Sequence, residues 1–360
     1  MIQKVRISLE ILFKKAQLDL SCSQWMGFLI GLFVFLYAEN ACPSNLEVSC
    51  KGKSGPISIV NQAPIQLLFL QAAPDKAECL PKGRGSLTLN TTITNTLVSE
   101  KGGDYEGVVD MEMIRASLDL KYGILTDFEM GMSLPFVYSY SGIMDHSILE
   151  FEETFNAQRM VRENQVEDNY EYYVKRNNRA FISGKGKRCS GIGDLVLRAK
   201  GKIWDEGKIL PCLSTRLGVK VPTGDEDRAL GSGKVDYGFG LLLQKDIKRL
   251  TAYLNADIIF PGDAFEQENV PLREFYEIML GAEYRVSSRL SLLGQVNCIT
   301  RPFENTGLQM LDRRIYDALL GIHYLTKGGV FIQGGTREDF KNSGNAGADI
   351  TFFLNVGKNF

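Results

Sequence analysis

Histidine is nearly missing: two residues in 360, His146 and His323. No CxxC or HxxxH spacing occurs anywhere, so a zinc or other metal centre is not expected, and no cofactor is implied. Charge of one sign is lacking too. Lys and Arg number 41 against 43 Asp and Glu, a formal net charge of -2, and no basic patch is interleaved with aromatics, so nucleic acid is not an expected partner. Seven cysteines are too few for a disulfide scaffold. Long apolar runs are scarce as well: with 44% hydrophobic residues and a mean hydropathy of -0.09, the chain is neither disordered nor a bundle of membrane helices. Glycine is the one excess, 36 of 360, one residue in ten against a usual figure of about 7%.

The strongly apolar run, WMGFLIGLFVFLY at 25–37, has thirteen residues, follows Lys4, Arg6, Lys14 and Lys15, and ends at small Ala38. That is the order of a secretory signal. As a helix it would rise about 20 Å, short of the roughly 30 Å hydrocarbon core. Residues 1–38 are therefore expected to be a signal peptide, cleaved after Ala38. Cys42 lacks the apolar residue that a lipidation box requires before it. Residues 39–85 read as an extended periplasmic lead-in, in which 57–70 (ISIVNQAPIQLLFL) is the orderable piece, able to tuck into the region C-terminal to it. Cys42 and Cys50 are free to pair there. Cys212 and Cys298 fall in strand-like segments as small apolar fillers.

From residue 86 the pattern has period two. Leu118 and Leu120 alternate with Ser117 and Asp119; Phe128, Met130, Met132, Leu134 and Phe136 alternate with Glu129, Gly131 and Ser133. Twelve such segments are expected: 86–97, 111–122, 127–136, 191–203, 209–221, 235–245, 250–260, 273–286, 289–300, 313–325, 329–337 and 348–360. Their connections alternate between long (98–110, 137–190, 222–234, 261–272, 301–312, 338–347) and short. An even number of strands of about ten residues, with short turns at one rim and long loops at the other, predicts a closed antiparallel transmembrane β-barrel of the outer-membrane type. Closure is required because a sheet in lipid cannot leave an edge unpaired. A soluble barrel or sandwich would also alternate, but it needs no export signal and no aromatics at strand ends (Tyr122, Trp204, Phe260, Tyr276, Tyr284, Tyr324).

The chain ends DITFFLNVGKNF, with Phe352, Leu354, Val356 and Phe360 on one face. This resembles the C-terminal strand by which bacterial outer-membrane barrels are recognised for assembly, and implies the barrel assembly machinery as a partner. Lys358 departs from that pattern. The stretches GIGDLVLRAKGKI (191–203) and LSTRLGVKVPTGDEDRALGSGKVDYGFGLLLQKDI (213–247) are similar to a bacterial outer-membrane β-barrel family of unknown function, a neighbour of the phenol-degradation meta-pathway barrels. GGTREDF (334–340), ADITFFLNVG (348–357) and the Ile148, Phe151, Phe155 pattern share the likeness, which spans about 84–360. It implies the bacterial outer membrane, with long loops extracellular and the N-terminus periplasmic, and by association the passage of small, often hydrophobic molecules. Pro222, Thr223, Gly224, Gly231 and Gly233 are read as turn formers.

Inward charges in mid-strand supply candidate pore-lining residues: Arg198, Lys200, Arg216, Lys220, Asp257, Glu277, Glu283, Arg285 and His323. In the insertion 137–190, acids crowd 144–171 and six bases crowd 175–188. Phe151, Phe155, Arg159, Arg162, Lys175 and Arg176 are candidates for a constriction or plug. A loop that pairs its two halves on itself, and a partner-binding loop, are the other readings. Gly231, Gly233 and Lys234 fail as a phosphate loop, since Val235 stands where Ser or Thr is needed. Glu277 and Glu283 are about 20 Å apart along a strand, too far for a glycosidase pair. The expectation is no enzyme but an outer-membrane channel or transporter for small solutes in a lipid bilayer. The alternatives are a closed structural or adhesive barrel acting through its loops, and a lipid hydrolase in which His146–Ser147 or His323 would need a third polar partner.

Overall fold

A strand with one apolar and one polar face, repeated twelve times, leaves a single way to bury every edge: the last strand must return to the first. The computed structural model, which describes residues 53–141, 169–184, 188–339 and 347–360, has that form. Its strands are β1 (Gly85–Gly102), β2 (Tyr105–Leu125), β3 (Phe128–Tyr140), β4 (Glu171–Arg176), β5 (Arg179–Ser183), β6 (Cys189–Ile192), β7 (Leu195–Trp204), β8 (Cys212–Val221), β9 (Asp236–Ile247), β10 (Leu250–Phe260), β11 (Phe275–Arg285), β12 (Leu290–Ile299), β13 (Ile315–Leu325), β14 (Val330–Asp339) and β15 (Ile350–Asn359). Strands β1–β3 and β7–β15, twelve in all, form the wall by antiparallel neighbour pairing. It closes where Ser86–Asn95 of β1 pairs with Asn359–Ile350 of β15. The aromatic end seals this seam: Gly85 and Phe360 exchange backbone hydrogen bonds of 2.8 and 2.9 Å.

The outward face is apolar. Leu89, Leu118, Met130, Phe239, Leu354 and Leu320 are exposed, the last at 69%. A continuous band of this kind is a surface for lipid, not for water. Tyr122, Tyr284 and Tyr324 ring the short-turn rim, and Tyr237 and Phe260 the long-loop side, as interfacial girdles do. Tyr276 is instead buried, with its backbone N–H on the Thr300 hydroxyl.

Strand bounds match the sequence expectation to within a few residues, except at 98–110. There β1 and β2 continue as a hairpin that turns only at 103–104. Glu100, Lys101, Asp104 and Glu106 give this stretch the polarity of a loop, but Val98 and Val109 on its inner face are buried. Short strands β4 and β5 extend that hairpin through β2–β4 pairing, Tyr105–Asp110 against Arg176–Glu171.

Residues 53–84 do not form a separate domain: Gly52–Phe360 is one compact unit, and this segment runs through the barrel interior. Pro56, Pro64, Pro74 and Pro81 punctuate it, and proline has no N–H to give to a ladder. Apart from a 3-10 turn at Gln66–Leu68 it is neither helix nor strand. It starts at the short-turn rim, where Lys53 meets Asp246. It rises past Gln295 and Asp317 and turns beneath the long loops. It then descends past Lys200 and leaves where the Gly83 N–H donates to the Gly123 carbonyl at 2.8 Å. Under the long loops Phe69 sits edge-on to Phe275, Phe303 and Phe265, with ring centroids 5.7–6.4 Å away. Tyr172, Val174 and Ile182 of the β4–β5 hairpin complete this apolar cap.

Candidate functional site: the lumen and the segment threaded through it

An extended segment without a ladder leaves its backbone donors and acceptors to be satisfied by something else. Here the wall's charged side chains do it, at three levels.

At the long-loop level the glycine-rich motifs converge. The buried Lys220 ammonium lies 2.9 Å from Asp194 and 3.2 Å from Asp236, and donates to the Leu68 carbonyl of the thread at 2.7 Å. Asp236 in turn accepts the Leu70 N–H at 2.7 Å. Asp194 accepts the Gly224 N–H at 2.9 Å, while the Thr223 hydroxyl donates to the Gly193 carbonyl at 2.9 Å. A Cβ on Gly231 would stand 2.3 Å from Asp194, and Gly233 has φ +70°, so side chains are excluded where the motif wraps this carboxylate. Turn residues read from sequence as rim punctuation thus build a clamp on the thread. Across the lumen Arg337 pairs with Asp317 and donates to the Val60 carbonyl at 2.8 Å, and the fully buried Arg301 holds Gln66 at 3.0 Å.

At mid-height Arg216 makes a two-pronged pair with Asp257, 2.7 and 2.6 Å, and also bonds the Ala73 carbonyl. Glu277 accepts the Ala72 N–H at 2.8 Å. Lys200 sits among Asp75 (2.9 Å), Glu129 (3.0 Å) and the carbonyls of Lys76 and Glu78. Lys121 reaches the same Asp75 at 2.8 Å, and Asn255 bonds both the N–H and the carbonyl of that residue.

At the short-turn level Glu283 receives the Ser54 N–H at 3.2 Å and the Tyr253 and Ser291 hydroxyls at 2.7 Å each, and Lys53 bridges Glu78 and Asp246.

The lining residues named from sequence are therefore inward, and most of them grip the thread. Arg198 stands at 3.6 Å from Asp119, beyond hydrogen-bond length. Arg285 lies at the rim, donating to the Lys248 carbonyl at 2.8 Å. His323 is buried with its ring stacked on Phe331 at 5.6 Å and Nδ1 without a partner, while Asp317 is engaged by Arg337, Asn61 and Asn297. Cys212 is buried against Ala77 and Leu242 as a filler. Lys175 and Arg176 are on the β4–β5 hairpin above the lumen, one over the Tyr173 ring at 3.7 Å, the other donating to the Glu268 carbonyl at 3.0 Å. Ile148, Phe151, Phe155, Arg159, Arg162, His146, Cys42, Cys50 and the signal segment lie outside the described residues. Sequence reasoning missed Asp75, Glu129, Asp194, Asp236, Asp317, Arg301 and Arg337. For Glu129, Asp236, Asp317 and Arg337 the signal was inward parity on their strands; Asp75 on the thread, Asp194 just before β7 and Arg301 just after β12 carry no such period.

A closed antiparallel barrel with a lipid-facing apolar band and a polar, occupied lumen is an outer-membrane-type β-barrel. The profile of the family described as "Protein of unknown function (DUF3187)" matches residues 35–360, and the chain belongs to that family. Among solved structures it is similar in fold to the COG4313 outer membrane channel from Pseudomonas putida F1, with a TM-score of 0.54 and 16% identity over 81% of this chain and 100% of that one. The NanC porin (TM-score 0.44, 6% identity, 76% and 98% coverage) and the Pseudomonas putida toluene transporter TodX (0.36, 10%, 85% and 99%) are more distant. No curated protein matches the sequence.

Proposed function

We propose that the protein is an outer-membrane channel for small solutes, hydrophobic ones included, whose conducting path is held shut by residues 53–84. The observation that carries this reading is the way the thread is held. The wall bonds it through its backbone at Val60, Leu68, Leu70, Ala72, Ala73 and Lys76, by side chains that would line a polar pore if it moved aside. A segment anchored at both ends of its path through the short-turn rim is a tethered plug. Long loops then face outward and the N-terminus faces the periplasm, the orientation consistent with a C-terminal assembly strand ending at that rim.

The closed, loop-presenting barrel remains the second reading, because the same ion pairs would fill a lumen that never opens. Planar-bilayer recording of the refolded mature chain, of a chain lacking 39–84, and of Phe69→Ala separates the two. Channel function predicts rare openings in the first, steady conductance in the second and more frequent openings in the third. Silence in all three, with heat-modifiable migration proving the barrels folded, would overturn it.

A further inference from the structure

The descending limb of the thread, residues 68–80, is held as a peptide more than as a particular sequence. Donors come from β7 and β8: Lys220 and Arg216 reach the Leu68 and Ala73 carbonyls, and Lys200 reaches those of Lys76 and Glu78 at 2.9 and 3.0 Å. Acceptors come from β9 and β11: Asp236 and Glu277 take the Leu70 and Ala72 N–H groups at 2.7 and 2.8 Å. These two residues are two apart, the repeat of an extended chain. Asn255 of β10 bonds both the N–H and the carbonyl of Asp75, at 2.8 and 2.9 Å, as a neighbouring strand does. The limb's side chains are engaged far less. Gln71 and Glu78 bond within the thread, to the Asn61 N–H and to Lys53, while Ala72, Ala73 and Ala77 offer nothing polar. Leu70 is seated differently. A Cβ on Gly218 or Gly238, a facing pair on β8 and β9, would come within 3.4 and 2.9 Å of its side chain, so the wall is hollowed there for one apolar residue.

Buried backbone needs partners wherever it lies, but nothing requires those partners to stay in place once it leaves. Here they are held independently of the thread. Lys220 keeps Asp194, Arg216 keeps Asp257 and Lys200 keeps Glu129, at 2.9, 2.6 and 3.0 Å, and Asp236 keeps the Gly262 N–H at 2.9 Å. A displaced thread therefore leaves behind a preorganised row of donors and acceptors spaced for a main chain, with a seat for one side chain. Main-chain hydrogen bonds for affinity and a side-chain pocket for preference are how extended peptides are recognised.

We infer that the wall facing the descending limb is a binding site for short extended peptides with an apolar residue, which take the place of residues 68–78 when the thread moves aside. The inference rests on the channel reading for that movement and deepens it by naming a class of solute. Isothermal titration in detergent uses the refolded mature chain and its full-length Phe69→Ala variant, with the tetrapeptide Ala-Leu-Ala-Ala as probe. The controls are the same peptide N-methylated at its internal amides, Ala-Glu-Ala-Ala, and maltose as an uncharged solute of similar size. Saturable binding of the probe at least tenfold tighter than any control is expected. It should be at least several-fold tighter in Phe69→Ala than in the parent, because the thread competes for the same groups. Ala72→Pro, which loosens the same limb, repeats that comparison, and heat-modifiable migration verifies that each barrel is folded. Adding Asn255→Leu to either variant should weaken binding at least tenfold. Equal affinity for the N-methylated peptide, equal affinity in the parent and both loosened chains, an unchanged constant with Asn255→Leu, or no saturable binding would each overturn the site. Planar-bilayer conductance is read separately. Binding without conductance counts against the channel and leaves the site standing; conductance without binding counts against the site alone.

Discussion

Lys220 shows why a buried charge can belong in a barrel lumen. Its ammonium has 1% exposure, two aspartates and a backbone carbonyl around it, so each donor direction is used. Removing one member of such a group leaves the others buried and unpaired, at a cost of about 3–5 kcal/mol. Lys220→Met should therefore lower the urea midpoint of heat-modifiable migration by a corresponding amount. Arg198→Gln gives the contrast: a 3.6 Å approach to Asp119 from a half-buried position is worth about 1 kcal/mol or less, and its midpoint should barely move. A cost for Arg198→Gln equal to that for Lys220→Met would contradict this ranking. From sequence both were simply inward bases, because parity along a strand tells which face a side chain takes and nothing about the carboxylate that meets it from another strand.

Among elements, the strands were legible and the thread was not. Alternation fixes a strand because a one-residue slip would turn its apolar set into the lumen, and β10 and β13 fall where the pattern put them, Leu250–Phe260 and Ile315–Leu325. The stretch 57–70 has no such period: Ile57, Ile59, Leu68 and Phe69 are buried on every side by a tube rather than on one face by a sheet. Its turn was readable only as orderable sequence, and its partners lie up to 277 residues away in the chain. What holds the thread locally can be tested by taking away one donor. Ala72→Pro removes the N–H that reaches Glu277, whose other carboxylate oxygen already lacks a partner. Leaving that group unsatisfied costs about 1–3 kcal/mol, so openings in planar bilayers should become at least several-fold more frequent. A conservative Ala72→Ser, which keeps the N–H, should behave as the parent chain does.

At the scale of the whole molecule the barrel is a closed wall, and conduction through it requires the thread to move. Residues 53–84 share no β-ladder with the wall, so they can leave without breaking its closure. The apolar cap around Phe69 at the long-loop end, and Glu283 and Asp246 on Ser54 and Lys53 at the short-turn end, hold the segment from both ends of the lumen. A direct handle on the proposed motion lies near the start of the ascending limb. A Cβ placed on Gly281 of β11 would stand 3.8 Å from the Cβ of Pro56, about the mean separation across a disulfide. Pro56→Cys with Gly281→Cys, in a chain whose other cysteines are replaced by serine, ties the thread to the wall under oxidising conditions and frees it under reduction. The decisive measurement is the planar-bilayer conductance of that one protein before and after a thiol reductant. A gating thread gives silence when oxidised and recurrent openings when reduced. Equal conductance in both states, with the bond verified by mass, would show that the thread does not gate the barrel.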